Sequence, residues 1–177
     1  VVEGGEYTQY TNCEFYKSTD LDQTGASEFV WNGDSTQMIG CTVGSLADAI
    51  GGSSIIRPAM TLTAGLAGSG KVCRDGLIRD TRFWRQCKNT SNTFIYAANA
   101  ADVERTLTLE HCAFINNKAA AAAPAVCIAL GATLTVGNIV LDPTCYASNV
   151  TKIATATGVI VTGPVPNGGA GIGTNAT

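Results

Sequence analysis

One short phrase recurs five times along this chain. A large apolar residue is followed three positions later by Cys, Thr or Ile, and two further on by Phe, Val or Leu. The phrases run from Tyr10 to Phe15, Met38 to Val43, Ile78 to Phe83, Leu109 to Phe114 and Val136 to Leu141. Their anchors, Cys13, Cys41, Thr81, Cys112 and Ile139, are 28, 40, 31 and 27 positions apart. A repeat of about 20 to 50 residues marks a solenoid, in which each unit covers the core of the next.

The anchor and the residue two later share one face of a strand. That alternation does not continue backwards. Two positions before the anchor stand Thr11, Ile39, Arg79, Glu110 and Gly137, a set no core accepts. The apolar residue sits three before instead, so the chain changes direction in between. The residue just before the anchor is Asn12, Gly40, Asp80, His111 or Asn138. These types tolerate positive φ, a conformation that costs other residues about 1–2 kcal/mol. Strand, left-handed bend, strand makes a corner, and corners stacked in register build a parallel β-helix.

Other apolar clusters supply a further strand per unit: Phe29-Val30-Trp31, Ile55-Ile56, Phe94-Ile95-Tyr96 and Val126-Cys127-Ile128. Alternating runs at Thr106–Leu109 and Thr133–Val136 lead into two of the phrases, and 157–162 reads as a last strand. Helical periodicity is not sustained anywhere, and Lys118 to Ala123, which ends at Pro124, reads as a loop. The expected fold is all-β, a single-stranded right-handed parallel β-helix of about five coils over residues 1–162. Residues 163–177, rich in Gly and Pro and lacking bulky hydrophobics, read as a flexible C-terminal arm.

On these residues the chain resembles the right-handed parallel β-helix superfamily of pectate lyases, phage tailspikes and secreted adhesins. Asn12 and Asn138 stand where that superfamily carries its asparagine ladder, while Gly40, Asp80 and His111 interrupt it. The stretch from Leu109 to Asn117 also resembles the repeat of polymorphic outer-membrane proteins, although Ala125-Val126 replaces the partner motif. The resemblance implies a fold; one scaffold carries many activities.

Charged residues are only 14% of the 177, a bland surface that suits packing against neighbours. Net charge is −3 and the basic residues Arg79, Arg82 and Arg85 are scattered, which excludes a nucleic-acid footprint. No apolar stretch approaches the roughly 20 residues of a transmembrane helix. The chain starts Val-Val-Glu-Gly-Gly, which reads as a processed protein or a piece of a longer one.

Seven cysteines suggest disulfides, yet three of them share the anchor position with Thr81 and Ile139. That is how a small core residue behaves in a stack, and a free thiol fills such a place well. Bridges between neighbouring units involving Cys73, Cys87, Cys127 or Cys145 are the alternative. With a single His and no CxxC pair, a zinc site is not expected. Gly65 to Lys71 matches most of a phosphate-binding loop, but Val72 stands where the metal-binding hydroxyl belongs. No cofactor is expected.

Arg79, Asp80, Arg82, Arg85 and Glu110 bring charges from two units together, and Trp84 offers a ring to a sugar or a partner. Carboxylates on adjacent rungs can act as acid and base in a glycosidase. Asp80 and His111, however, sit at bends that need only tolerance of positive φ. Three functions follow from the pattern. The first is a non-enzymatic virion component, a capsid decoration or tailspike-like protein acting as a homotrimer and through other virion proteins. The second is a surface adhesin fragment that contacts glycans. The third is a polysaccharide-degrading enzyme working from Arg82, Trp84 and Glu110. Open solenoid ends invite covering by copies or by an assembly, which favours the first.

Overall fold

A computed structural model describes residues 2–3, 5–16, 27, 29–44, 59–63, 73–85, 93–116, 125–148, 150–154 and 159–161. The readings at Ile55-Ile56, Gly65–Lys71, Cys87, Lys118–Ala123 and 163–177 lie outside these residues. All regular structure among the described residues is β. In chain order the strands are β1 (Val2–Glu3), β2 (Gln9–Thr11), β3 (Glu14–Tyr16), β4 (Phe29–Trp31), β5 (Gln37–Ile39) and β6 (Thr42–Gly44). Next come β7 (Met60–Leu62), β8 (Cys73–Arg79), β9 (Arg82–Arg85), β10 (Thr93–Ala97), β11 (Val103–Glu110) and β12 (Ala113–Asn116). The last are β13 (Ala125–Leu130), β14 (Gly137–Leu141), β15 (Tyr146–Ser148), β16 (Val150–Ala154) and β17 (Val159–Val161).

The strands fall into three sheets, visited in rotation. The first is β1-β4-β7-β10-β13-β16, the second β2-β5-β8-β11-β14-β17 and the third β3-β6-β9-β12-β15. Every pairing is parallel. Parallel strands in stacked sheets are consistent with a β-helix or solenoid. The third strand of the first sheet is Met60–Leu62, and it takes the place expected of an apolar pair a few residues earlier.

The core is made of columns that run from strand to strand along each sheet through the register. Phe29, Met60, Ile95 and Ile128 stack along the first sheet. Met38, Ile78, Leu109 and Leu141 stack along the second. Val43, Phe83, Phe114 and Ala147 stack along the third. All twelve of these residues are fully buried. Each large apolar side chain so buried contributes about 1.5–3 kcal/mol. Phe83 and Phe114 stack at 5.1 Å with a 7° tilt, and Phe94 meets Phe114 edge-on at 5.6 Å. Trp31 fills the space beside Gly76, where a Cβ would come within 3.0 Å of its ring.

The fifth phrase is out of register, and two expected stack positions are corrected. Asn138 pairs with Thr106 and Ile139 with Leu107, inside the second sheet and well before the corner. Asn138 does not have positive φ. The true corner lies at Asp142-Pro143-Thr144, and the anchor equivalent to Cys112 is Cys145, because Tyr146 pairs with Ala113. One extra residue in that turn hides the pattern. The alternating run Thr133–Val136 is not a strand either; β14 begins at Gly137, and Val136 is 56% exposed.

Candidate functional site

The corner between the second and third sheets is built from one left-handed residue per rung. Asn12, Asp80 and His111 have φ of 54°, 51° and 50°, and Gly40 has φ of 66°. Their backbone N–H groups all point toward the following rung. Asn12 donates to the Ile39 carbonyl at 2.9 Å, Gly40 to Arg79 at 3.0 Å and Asp80 to Glu110 at 3.0 Å. His111 faces the longer turn and donates instead to the Thr144 hydroxyl at 3.0 Å. Asn12 Oδ1 crowds the place where a Gly40 Cβ would stand, so the side chain of one rung lies over the bare backbone of the next.

Inside this corner runs a ladder of thiols and a hydroxyl: Cys13, Cys41, Thr81, Cys112 and Cys145. The Cys13 N–H donates to the Cys41 sulfur at 3.4 Å, and the Cys41 N–H to the Thr81 hydroxyl at 3.4 Å. Side-chain donors turn to carbonyls. Thr81 reaches Arg79 at 2.9 Å, Cys112 reaches Ile78 at 3.4 Å and Cys145 reaches Leu109 at 3.4 Å. The position therefore selects a small residue that both donates and accepts, which explains why Cys and Thr alternate there. Ile could not do this. Burial pushes the Cys41 and Cys112 thiols up. The Cys145 thiol is pulled down, chiefly by its side-chain interaction with Cys112. Cys73 and Cys127, deeper in the core, are pushed up by desolvation. All six described cysteines are free thiols.

The outer side of the rungs carries a charged ladder that the phrases do not reveal. A second series of left-handed residues has φ from 47° to 59°: Tyr7 and Ser35 stand before β2 and β5, while Asp75 and Arg105 lie within β8 and β11. Arg74 bonds Glu104 at 2.6 Å and lies 3.5 Å from Asp34. The Glu104 hydrogen bond, followed by the charges of Glu104, Asp34 and Asp75, holds the Arg74 guanidinium protonated above its ordinary range. Arg105 bonds Asp75 at 2.6 Å across the bulge in β11. Tyr, Ser, Asp and Arg share no chemical trait that would mark a bend. Only the paired charges about 30 residues apart were available as a signal.

Among the residues singled out by sequence, Arg79 and Glu110 do meet, at 2.7 Å. Asp80 Oδ1 and His111 Nδ1 are 3.9 Å apart. Arg82 is exposed and its guanidinium lies 5.6 Å from the Trp84 ring centre, on the outer face of the third sheet. Arg85 pairs through its backbone with Asn116. Asp142 is held below the ordinary carboxylate range by hydrogen bonds from the Thr144 hydroxyl and N–H, then by His111. A glycosidase needs one carboxyl pushed up to act as acid; Asp142 moves the other way, and Glu110 is tied to Arg79.

Among the described residues, no group of three or more His, Cys, Asp or Glu could hold a metal ion. None of them forms a helix long and apolar enough to cross a membrane. The chain matches no family model, no curated protein and no solved structure.

Proposed function

We propose that the chain is a right-handed parallel β-helix of about five coils serving as a non-enzymatic structural component of a virion, a capsid decoration or tailspike-like protein. It acts by contact with copies of itself, as a trimer, and with other virion proteins. The observation that carries this reading is the contrast between the terminal rung and the interior ones. Tyr10, Cys13 and Phe15 are only partly buried, whereas their column mates Met38, Cys41 and Val43 are closed off from solvent. Among the described residues, strands β1, β2 and β3 are also outermost in their sheets, with a partner on one side alone. Apolar surface beside unpaired strand edges favours a protein whose end is covered by another chain.

The charges support the same reading. Arg74, Arg79 and Arg105 are spent on carboxylates of adjacent rungs, which stiffens a wall and leaves little for catalysis. Light scattering over a dilution series tests the proposal. A mass three times 18.2 kDa that holds on dilution supports it. A monomer at every concentration overturns it.

A further inference from the structure

The thiols of the corner ladder are not evenly distributed. Thr81 divides them into two isolated neighbours, Cys13 with Cys41 and Cys112 with Cys145, so no thiol in the column has a thiol on both sides. Neighbouring strands stand about 4.8 Å apart, within the roughly 4.4–6.8 Å between Cα atoms that a disulfide accepts. The register confirms that Cys13 and Cys41 are true neighbours, since Glu14 pairs with Thr42 one residue on. The Cys41 sulfur leans back toward the first rung, 3.6 Å from the Tyr10 carbonyl, and accepts the Cys13 N–H at 3.4 Å. Cys145 leans back toward Cys112 in the same way, 3.4 Å from the Leu109 carbonyl.

The pairs differ in access. Cys13 is partly exposed on the terminal rung, while Cys41, Cys112 and Cys145 are 2%, 1% and 1% exposed. We propose that Cys13 and Cys41 form a redox-active pair, in which Cys13 takes up a small disulfide from solvent and Cys41 resolves it into a bridge between the first two rungs. The Cys13 thiolate attacks one sulfur of a disulfide such as oxidised glutathione, forming a mixed disulfide and releasing one glutathione thiolate. The Cys41 thiolate then attacks the Cys13 sulfur and expels the second. The two protein thiols lose two protons and two electrons, and the small disulfide is reduced to two thiols. Burial raises the Cys41 thiol, so the second step quickens with rising pH. The bridge ties down a rung whose strands, among the described residues, have neighbours on a single side. It gives the end of the fold a covalent clamp under oxidising conditions that the reduced chain lacks.

The test is to incubate the native full chain with oxidised glutathione, block remaining thiols with iodoacetamide and map the peptides by mass spectrometry. The Cys13–Cys41 peptide pair should appear first, while Cys112 and Cys145 are recovered as alkylated thiols. Cys41→Ser should accumulate the Cys13–glutathione adduct, because nothing expels the second glutathione. Three results on the wild-type chain would overturn the proposal: a stable glutathione adduct at Cys13, first oxidation at another pair, or no loss of thiol. The wild-type result stands even if Cys41→Ser does not fold.

Discussion

The corner at Leu109–Phe114 and the next one, at Leu141–Ala147, do the same job with different means. Both turn the chain from the second sheet into the third, and both end on a buried Cys whose sulfur bonds a carbonyl. The first turns on the single left-handed residue His111. The second uses Asp142, Pro143 and Thr144, closed by the Cys145 N–H donating to the Asp142 carbonyl at 3.0 Å. The extra residue would strand the His111 N–H, which has lost the carbonyl that the other bends offer. Thr144 supplies a hydroxyl in its place. The stack conserves satisfied hydrogen bonds and the direction of the chain, not the number of residues in a turn.

The two corners also differ in the residue two beyond the anchor, Phe114 in one and Ala147 in the other. The widest gap between them should therefore come from the core. Phe114→Ala leaves Phe83 and Phe94 without their shared partner and should cost about 3–5 kcal/mol, read as a fall in the urea midpoint. A loss under about 1 kcal/mol would mean that the rungs collapse onto the space, and that the aromatic stack is not what distinguishes the two corners.

A smaller effect is expected where a one-residue corner loses its special residue. Gly40→Ala puts a Cβ at φ 66° and against Asn12 Oδ1, the mobile end of a side chain that can swing aside. The backbone cost of about 1–2 kcal/mol should remain. Comparing Gly40→Ala with the same change in an Asn12→Ala background separates the two contributions. If Asn12→Ala restores full stability, the contact dominates and the left-handed bend does not.

These effects also mark what could be read without coordinates. Four corners were legible because the bend is one residue long and sits at a fixed place between two apolar ones. At the last corner the inserted residue displaced Cys145 from the pattern, and the segment from Val136 to Leu141 met the same composition rule by coincidence. Ile139 and Leu141 alternate within one strand as an anchor and the residue two later do, and Val136 falls three before by chance, so composition alone could not separate Ile139 from a true anchor. The Arg79–Glu110 pair was legible because both residues occupy the same place in successive phrases. The Arg74–Glu104 and Arg105–Asp75 pairs were not, since they lie at a bulge where two residues of β11 face one of β8. A bulge shifts the register without leaving a mark in hydrophobic pattern.

The subtlest contrast concerns the hydroxyl that replaces a carbonyl. Thr144→Val keeps the shape of the turn but removes the acceptor for His111 N–H, a bond worth about 1 kcal/mol. It also removes the hydroxyl that donates to Asp142. These two losses separate by pH. The folded state holds the Asp142 carboxyl below its ordinary value of 3.8, first through the Thr144 hydroxyl. A depressed carboxyl favours the folded chain wherever it is ionised, so its contribution is complete above 3.8 and fades as pH falls through the lower, folded value. The wild-type chain should then lose its advantage over Thr144→Val progressively below pH 3.8. What remains at the acid end is the His111 bond, which involves no titrating group. Urea midpoints of both proteins from neutral pH downward give the gap directly. A gap that stays constant across the acid range would leave the His111 N–H as the sole reason for a threonine at this corner.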